Sequence, residues 1–111
     1  MFEVNISKVD NVTVLVVGGR VDSNTADQLG EALTSELEKG SVNLVADLEA
    51  VDYMSSAGLR ELVAALKQVK QKNGDLHLAS PTERVQEVLE LSGLDSIFAV
   101  HQTRQDAIDS F

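Results

Sequence analysis

The sequence predicts an α/β protein: a mixed, mainly parallel sheet of four to five strands with helices, in the order β-β-α-β-α-β-α-β-α. Three observations lead there. Short apolar runs rich in β-branched residues alternate with stretches whose apolar residues recur at helical spacing, the pattern of parallel strands joined by right-handed crossovers. The first two runs lie a tight turn apart, which makes an antiparallel hairpin. Residues 1–111 are about the commonest size for one domain, and 43% of them are apolar, enough for one core.

Each element follows from local pattern. Phe2-Glu3-Val4-Asn5-Ile6 alternates apolar and polar residues, as a half-buried strand does. Asp10-Asn11 marks a turn, Val12 to Val17 reads as the second strand of the hairpin, and Gly18-Gly19 is expected to end it. Asp22, Ser23, Asn24 and Thr25 are all capping residues. They precede a helix with Ala26, Leu29, Ala32, Leu33 and Leu37 on one face, closed by Gly40. Val42 to Leu48 is the central buried strand. Leu59, Leu62, Val63, Leu66 and Val69 then set out a second helix that ends near Asn73-Gly74.

Asp75 to Ala79 reads as another strand. Ser80-Pro81-Thr82-Glu83 offers a cap with proline at the first helical position, opening a helix with Val85, Val88, Leu89 and Leu91 on its face. Ser92-Gly93-Leu94 ends that helix, Ile97 to Val100 is a short terminal strand, and Thr103 to Ser110 a short last helix.

Composition excludes several kinds of function. A formal net charge of −9 lacks the basic footprint of a nucleic-acid binder. There are no cysteines, hence neither disulfides nor thiolate metal sites. The first residues lack the basic start and apolar block of a signal peptide, and no run approaches a membrane span, so a soluble, cytoplasmic protein is expected. No glycine-rich loop matches a dinucleotide or phosphate-binding fingerprint, and no cofactor is expected. His77 and His101 stand without clustered ligands; His77 alternates with Leu76 and Leu78 and reads as an exposed sheet position. Tyr53-Met54-Ser55-Ser56-Ala57-Gly58 lacks the first glycine of a nucleophile elbow, which argues against a serine hydrolase. Asp47 lies near the end of a central strand, as a phospho-accepting aspartate would, but the accompanying acidic cluster and late lysine are missing.

Ser55-Ser56-Ala57-Gly58-Leu59 carries the most information, because it joins the central strand to the second helix. A serine there is either a plain helix cap or an acceptor whose phosphate would meet free backbone N–H groups and the positive end of the helix dipole.

Three stretches together resemble the STAS domains, and specifically the free-standing bacterial anti-sigma factor antagonists. They are Gly18-Gly19-Arg20-Val21-Asp22-Ser23-Asn24-Thr25-Ala26, the run from Leu44 to Leu59 that ends in Ser55-Ser56-Ala57-Gly58-Leu59, and Leu91-Ser92-Gly93-Leu94. The resemblance covers the whole chain, which would make residues 1–111 a single STAS domain. It implies partner switching: the unmodified antagonist binds an anti-sigma factor with serine kinase activity, phosphorylation separates the pair, and a PP2C-type phosphatase restores binding. No direct nucleic-acid or membrane partner is implied, and no catalysis by the chain itself.

Carried over by position, the acceptor is Ser56, two residues before Gly58. Family members often carry aspartate where this chain has Ser55 and a hydroxyl residue where it has Ala57, which leaves Ser55 as a competing acceptor. Phosphate would add roughly −1.5 to −2 charges to a patch of Met54, Ala57 and Leu59. Asp22 and Asp47 are expected to flank it at the same sheet edge. Arg60 is the nearest cation, on a helix whose segment also holds Lys67, Lys70 and Lys72, four of the nine basic residues. The alternative reading is a STAS ligand-sensing or scaffold module in which Ser56 only caps the helix.

Overall fold

The computed structural model describes all 111 residues. Five strands form one sheet in the spatial order of the chain: β1 (Phe2–Val9), β2 (Val12–Val21), β3 (Asn43–Met54), β4 (Asp75–Ala79) and β5 (Ala99–His101). Only β1 runs antiparallel, joined to β2 by the Asp10-Asn11 turn, where Asp10 takes a φ of 56°. The pairs β2–β3, β3–β4 and β4–β5 are parallel. Parallel strands cannot be joined by hairpins, so α1 (Ala26–Glu38), α2 (Ser56–Gln71) and α3 (Glu83–Ser92) serve as crossovers. The short helix α4 (Arg104–Asp109) ends the chain.

Strand alternation sorts the core into two layers. On one face Leu15, Val17, Leu44, Ala46, Leu48, Leu76 and Leu78 meet Leu29 and Leu33 of α1, Leu62, Leu66 and Val69 of α2, and Val85 and Leu89 of α3. On the other face Val12, Val14, Val45 and Ala79 are covered by Ala107, with Ile108 packed alongside. The main layer is tightly filled, and Leu62, Leu76 and Leu78 are fully buried. Truncating any one of them to alanine would cost about 2–5 kcal/mol.

The predicted order of elements is the observed one, with five differences in detail. Strand β2 does not stop at Gly18-Gly19 but continues to Val21, with register irregularities between Val16 and Gly18 and between Gly19 and Arg20. Gly19 is a close-approach position inside the strand. Its φ is 90°, and a Cβ there would lie 1.7 Å from the Met1 carbonyl oxygen, which accepts from the Arg20 N–H at 2.9 Å. Strand β3 likewise runs six residues past Leu48, because the extended β2 gives Ala50, Val51, Tyr53 and Met54 partners. Strand β1 also continues past Ile6, to Val9.

The third helix begins at Glu83 rather than at Pro81. Thr82 is its cap, accepting from the Val85 N–H at 3.3 Å. Ser80 is held instead by β5: its N–H donates to the His101 carbonyl and its hydroxyl to the Gln102 carbonyl, and its φ is 52°. At the far end of α3, Leu91 lies off the core face and is 83% exposed. A 3-10 turn (Leu94–Ser96) follows, so β5 starts at Ala99 rather than Ile97.

Candidate functional site

The parallel ladder between β2 and β3 ends with Arg20 opposite Tyr53 and Val21 opposite Met54. One more bond extends it: the Ser55 N–H donates to the Val21 carbonyl at 2.8 Å. The chain then turns into α2. Ser55 has extended backbone angles, and its Oγ accepts from the Gly58 N–H at 3.2 Å, satisfying one of the helix's unpaired first-turn donors. Ser55 is therefore the cap. Ser56 is the first helical residue, exposed, with a hydroxyl that makes no hydrogen bond within the chain. The reading of Ser56 as the cap is thereby corrected.

Gly58 fixes how closely α2 approaches the sheet. It is buried, and a Cβ would stand 2.5 Å from Val21 Cγ1 and 2.6 Å from Met54 Sδ. Only glycine lets the first turn settle against the ends of β2 and β3. Because the turn settles inward at Gly58, the position two residues earlier is directed to solvent. No acidic residue lies in the first turn.

Arg20 and Asp22 occupy the adjoining β2–α1 connection. The Arg20 guanidinium lies 4.2 Å from the centre of the Tyr53 ring and donates to Asp22 Oδ2 at 3.1 Å. Asp22 Oδ1 accepts the N–H groups of Asn24 at 2.9 Å and Thr25 at 3.2 Å, closing the turn before α1. The Asn24 N–H is the largest influence on this carboxyl. Together with Arg20 and Thr25 it outweighs partial desolvation and holds Asp22 below the usual carboxylate value. Asp22 follows directly on Val21, the residue whose carbonyl receives the Ser55 N–H.

Other expected site residues lie elsewhere. Met54 and Leu59 are 2% and 5% exposed and belong to the main core, so they are packing residues rather than a surface patch; Ala57 is half-buried. Asp47 does not flank Ser56. It sits in the middle of the lengthened β3, buried on the α4 side of the sheet, where Oδ2 accepts from Arg104 Nε at 2.7 Å and Oδ1 from the Glu49 N–H at 3.1 Å. It ties α4 to the sheet. Arg60 is exposed one turn beyond Ser56 on α2.

His77 is also a correction: it is 7% exposed, not on a bare sheet face. Nδ1 lies 2.6 Å from Ser110 Oγ and Nε2 lies 3.1 Å from Asp75 Oδ2, while Phe111 stacks on the ring at 4.1 Å. The residues that close over it come from the end of the chain, which strand alternation alone cannot show. Asp75 has its carboxyl held below the usual value: burial opposes this, but the Leu76 N–H, His77 and Lys70 outweigh it. Arg20, Tyr53 and Arg104 were missed in the sequence because their partners depend on the irregular register and on α4.

Asp75, His77 and Ser110 do fall in a hydrogen-bonded line, against the expectation that no serine–histidine–aspartate set forms, but the Ser110 hydroxyl donates to the Ala107 carbonyl at 2.6 Å and Phe111 stacks on the imidazole. No His, Asp and Glu side chains gather as a metal cage. What the geometry defines is an α/β module that presents one uncommitted hydroxyl at the start of its second helix. Residues 3–107 match the STAS domain model, and the chain belongs to that family. Its relatives include the anti-sigma factor antagonist BtrV of Bordetella bronchiseptica, 38% identical over 98% of this chain and 94% of the relative. The anti-sigma-B factor antagonist of Staphylococcus aureus is 33% identical over 78% of this chain and 80% of its own length. Among solved structures, an anti-sigma factor antagonist from Thermotoga maritima superposes with a TM-score of 0.91 at 28% identity, covering 96% of this chain and 92% of that one.

Proposed function

We propose that this chain is an anti-sigma factor antagonist controlled by phosphorylation of Ser56. Unmodified, it binds an anti-sigma factor that is also a serine kinase, thereby freeing the sigma factor and permitting transcription. The kinase phosphorylates Ser56, the complex separates, and a PP2C-type phosphatase restores the binding form. The chain performs no catalysis of its own in this cycle.

One observation carries the reading: Ser56 Oγ is exposed and unbonded, while Ser55 does the capping. A kinase can therefore take the Ser56 hydroxyl without removing any bond that holds the helix. The modified residue would sit where Ser56 and Ala57 N–H groups precede the first intrahelical bonds, so the dipole favours the added charge by ~0.3–1 kcal/mol. The same charge is unfavourable in a complex. Enclosing it without a matched cation costs several kcal/mol, and each 1.4 kcal/mol is tenfold in affinity. Asp22, in the adjoining β2–α1 connection, stays ionised through neutral pH and offers the phosphate no cation.

The test is direct. Incubation with ATP and a purified anti-sigma factor serine kinase from the same organism is expected to place phosphate on the peptide containing Ser56 and to leave Ser56→Ala unmodified. Ser56→Asp should remain folded and lose the kinase by a hundredfold or more in calorimetric titration. Phosphate confined to Ser55, or unchanged binding by Ser56→Asp, would overturn the proposal.

A further inference from the structure

An open groove of about 490 Å³ runs beside α2 toward the 3-10 turn. Half of its eight lining residues are hydrophobic, whereas none of the four other surface depressions has more than one. Val63, Ala64 and Leu94 supply apolar surface over the buried Leu59, and Arg60 and Lys67 stand with them. Ser56, Arg60, Val63 and Lys67 follow one another at spacings of four, three and four, which places them along one stripe of the helix. The proposed phosphoacceptor is thus the head of this groove and lines it.

The groove holds two cations and no carboxylate. The chain has 18 acidic and 9 basic residues. Arg20, Lys39, Lys70 and Arg104 are each taken up by a carboxylate. Arg60 and Lys67, like Lys8, Lys72 and Arg84, are exposed and have no such partner, and of these five only Arg60 and Lys67 line the apolar groove. The one acidic residue of α2, Glu61, is turned away toward α1, where its carboxylate lies over Gly30. Leu91 and Ile97, 83% and 54% exposed, extend apolar surface on the segments flanking the 3-10 turn. An apolar floor with two free cations calls for an occupant that is apolar in the middle and anionic at both ends.

The geometry points to this groove as the docking surface for an acidic amphipathic helix of the partner protein. The stripe from Ser56 to Lys67 is about 16 Å long at 1.5 Å per residue, some three helical turns. Arg60 and Lys67 are seven residues apart, so two partner carboxylates about two turns apart would meet them, with apolar residues between them resting on Val63 and Leu94. The inference rests on the phosphorylation reading and deepens it. A phosphate on Ser56 would lie four residues before Arg60, within reach of an i,i+4 ion pair, and would take from the partner one of its two cations.

The groove and the switch are tested separately, with a purified anti-sigma factor serine kinase from the same organism as probe and light scattering to follow self-association. Ala64→Glu and Lys67→Glu alter exposed positions that hold no core contact, and melting curves will show whether each remains folded; Lys67→Gln is the gentler substitute. Each charge-introducing variant is expected to weaken binding about tenfold or more, and Lys67→Gln to flatten its salt dependence. Binding equal to that of the unaltered chain in folded Ala64→Glu and Lys67→Glu overturns the groove, even where Ser56→Asp abolishes binding. Loss in the groove variants with unchanged binding by Ser56→Asp keeps the groove and overturns the phosphoswitch. A dimer of the chain that Ala64→Glu dissolves would assign the groove to a second copy and overturn the partner helix.

Discussion

Adjacent serines with different duties give the sharpest prediction. Ser55→Ala removes the oxygen that accepts from the Gly58 N–H at 3.2 Å, leaving a first-turn donor without its partner. Loss of a serine cap costs about 0.5–2 kcal/mol, typically ~1. Ser56→Ala removes an exposed hydroxyl that bonds nothing, and alanine is the better helix former by a few tenths of a kcal/mol. It should be neutral or slightly stabilising. The two variants have the same composition, are altered one residue apart in the chain, and differ by about 1 kcal/mol in stability. For a domain of this size that is roughly 4 °C in Tm. In urea, with a slope of about 2 kcal/mol/M, it is a midpoint difference of ~0.5 M. Scanning calorimetry and urea titration of both variants, followed by the kinase assay, complete the comparison. Ser55→Ala should melt early and still accept phosphate; Ser56→Ala should melt normally and refuse it. Equal stabilities, or the reverse order, would refute the division of roles.

Three further outcomes are expected. Asp47→Asn takes the carboxylate from an Arg104 that is half exposed and can turn to water, and should cost about 1–2 kcal/mol in urea denaturation, with α4 amides losing protection first in hydrogen exchange. Gly58→Ala gains about 1 kcal/mol of helix propensity but forces the first turn away from Val21 and Met54, an overpacking cost of ~1–3 kcal/mol, so calorimetry should show net destabilisation. Asp22 and Asp75 both titrate below their usual value of 3.8, so the folded state favours their ionised forms. Their contribution is complete above that value and disappears as pH falls through the lower folded value. Asp22→Asn should therefore shrink the acid-side fall in urea midpoint below pH 4 and leave the profile above pH 5 parallel to that of the unaltered chain.

The order of elements was legible because each element has its own periodicity and its own punctuation. Gly40 closes α1 with a φ of 94°, and Gly93 closes α3 with a φ of 77°, as a C-terminal glycine does. What escaped was set by pairing across the sheet. Gly18-Gly19 reads locally as a stop, yet the strand passes through it, and the missing side chain of Gly19 leaves room for the Met1 carbonyl. Once β2 is longer, β3 is longer too, and Asp47 moves from a strand end to a strand middle. His77 kept its place in β4, but its burial comes from Ser110 and Phe111, more than thirty residues later. At the candidate site, the sequence showed Ser56 and Gly58 at the right junction. It could not divide capping between two neighbouring serines, since either could supply an oxygen at that distance from Gly58.

That division bears on how a phosphate could act without reshaping the protein. The first turn of α2 is held at three points: the Ser55 N–H on the Val21 carbonyl, the Ser55 hydroxyl on the Gly58 N–H, and Gly58 seated between Val21 and Met54. None of them passes through the Ser56 side chain. A dianionic group added there can neither pull the cap away nor widen the gap at Gly58, so the core beneath stays as it is. Its effect is limited to what a partner meets: a hydrated charge at the head of the stripe, with Arg60 one turn below. Had the cap and the acceptor been one residue, phosphorylation would also break a cap worth ~1 kcal/mol, and fraying of the helix would accompany release. Amide exchange in the first turn of α2 distinguishes the two cases. With the cap on Ser55, the Gly58 and Leu59 amides should be as protected in the phosphorylated chain as in the unmodified one, and a drop in their protection would contradict a switch confined to the surface.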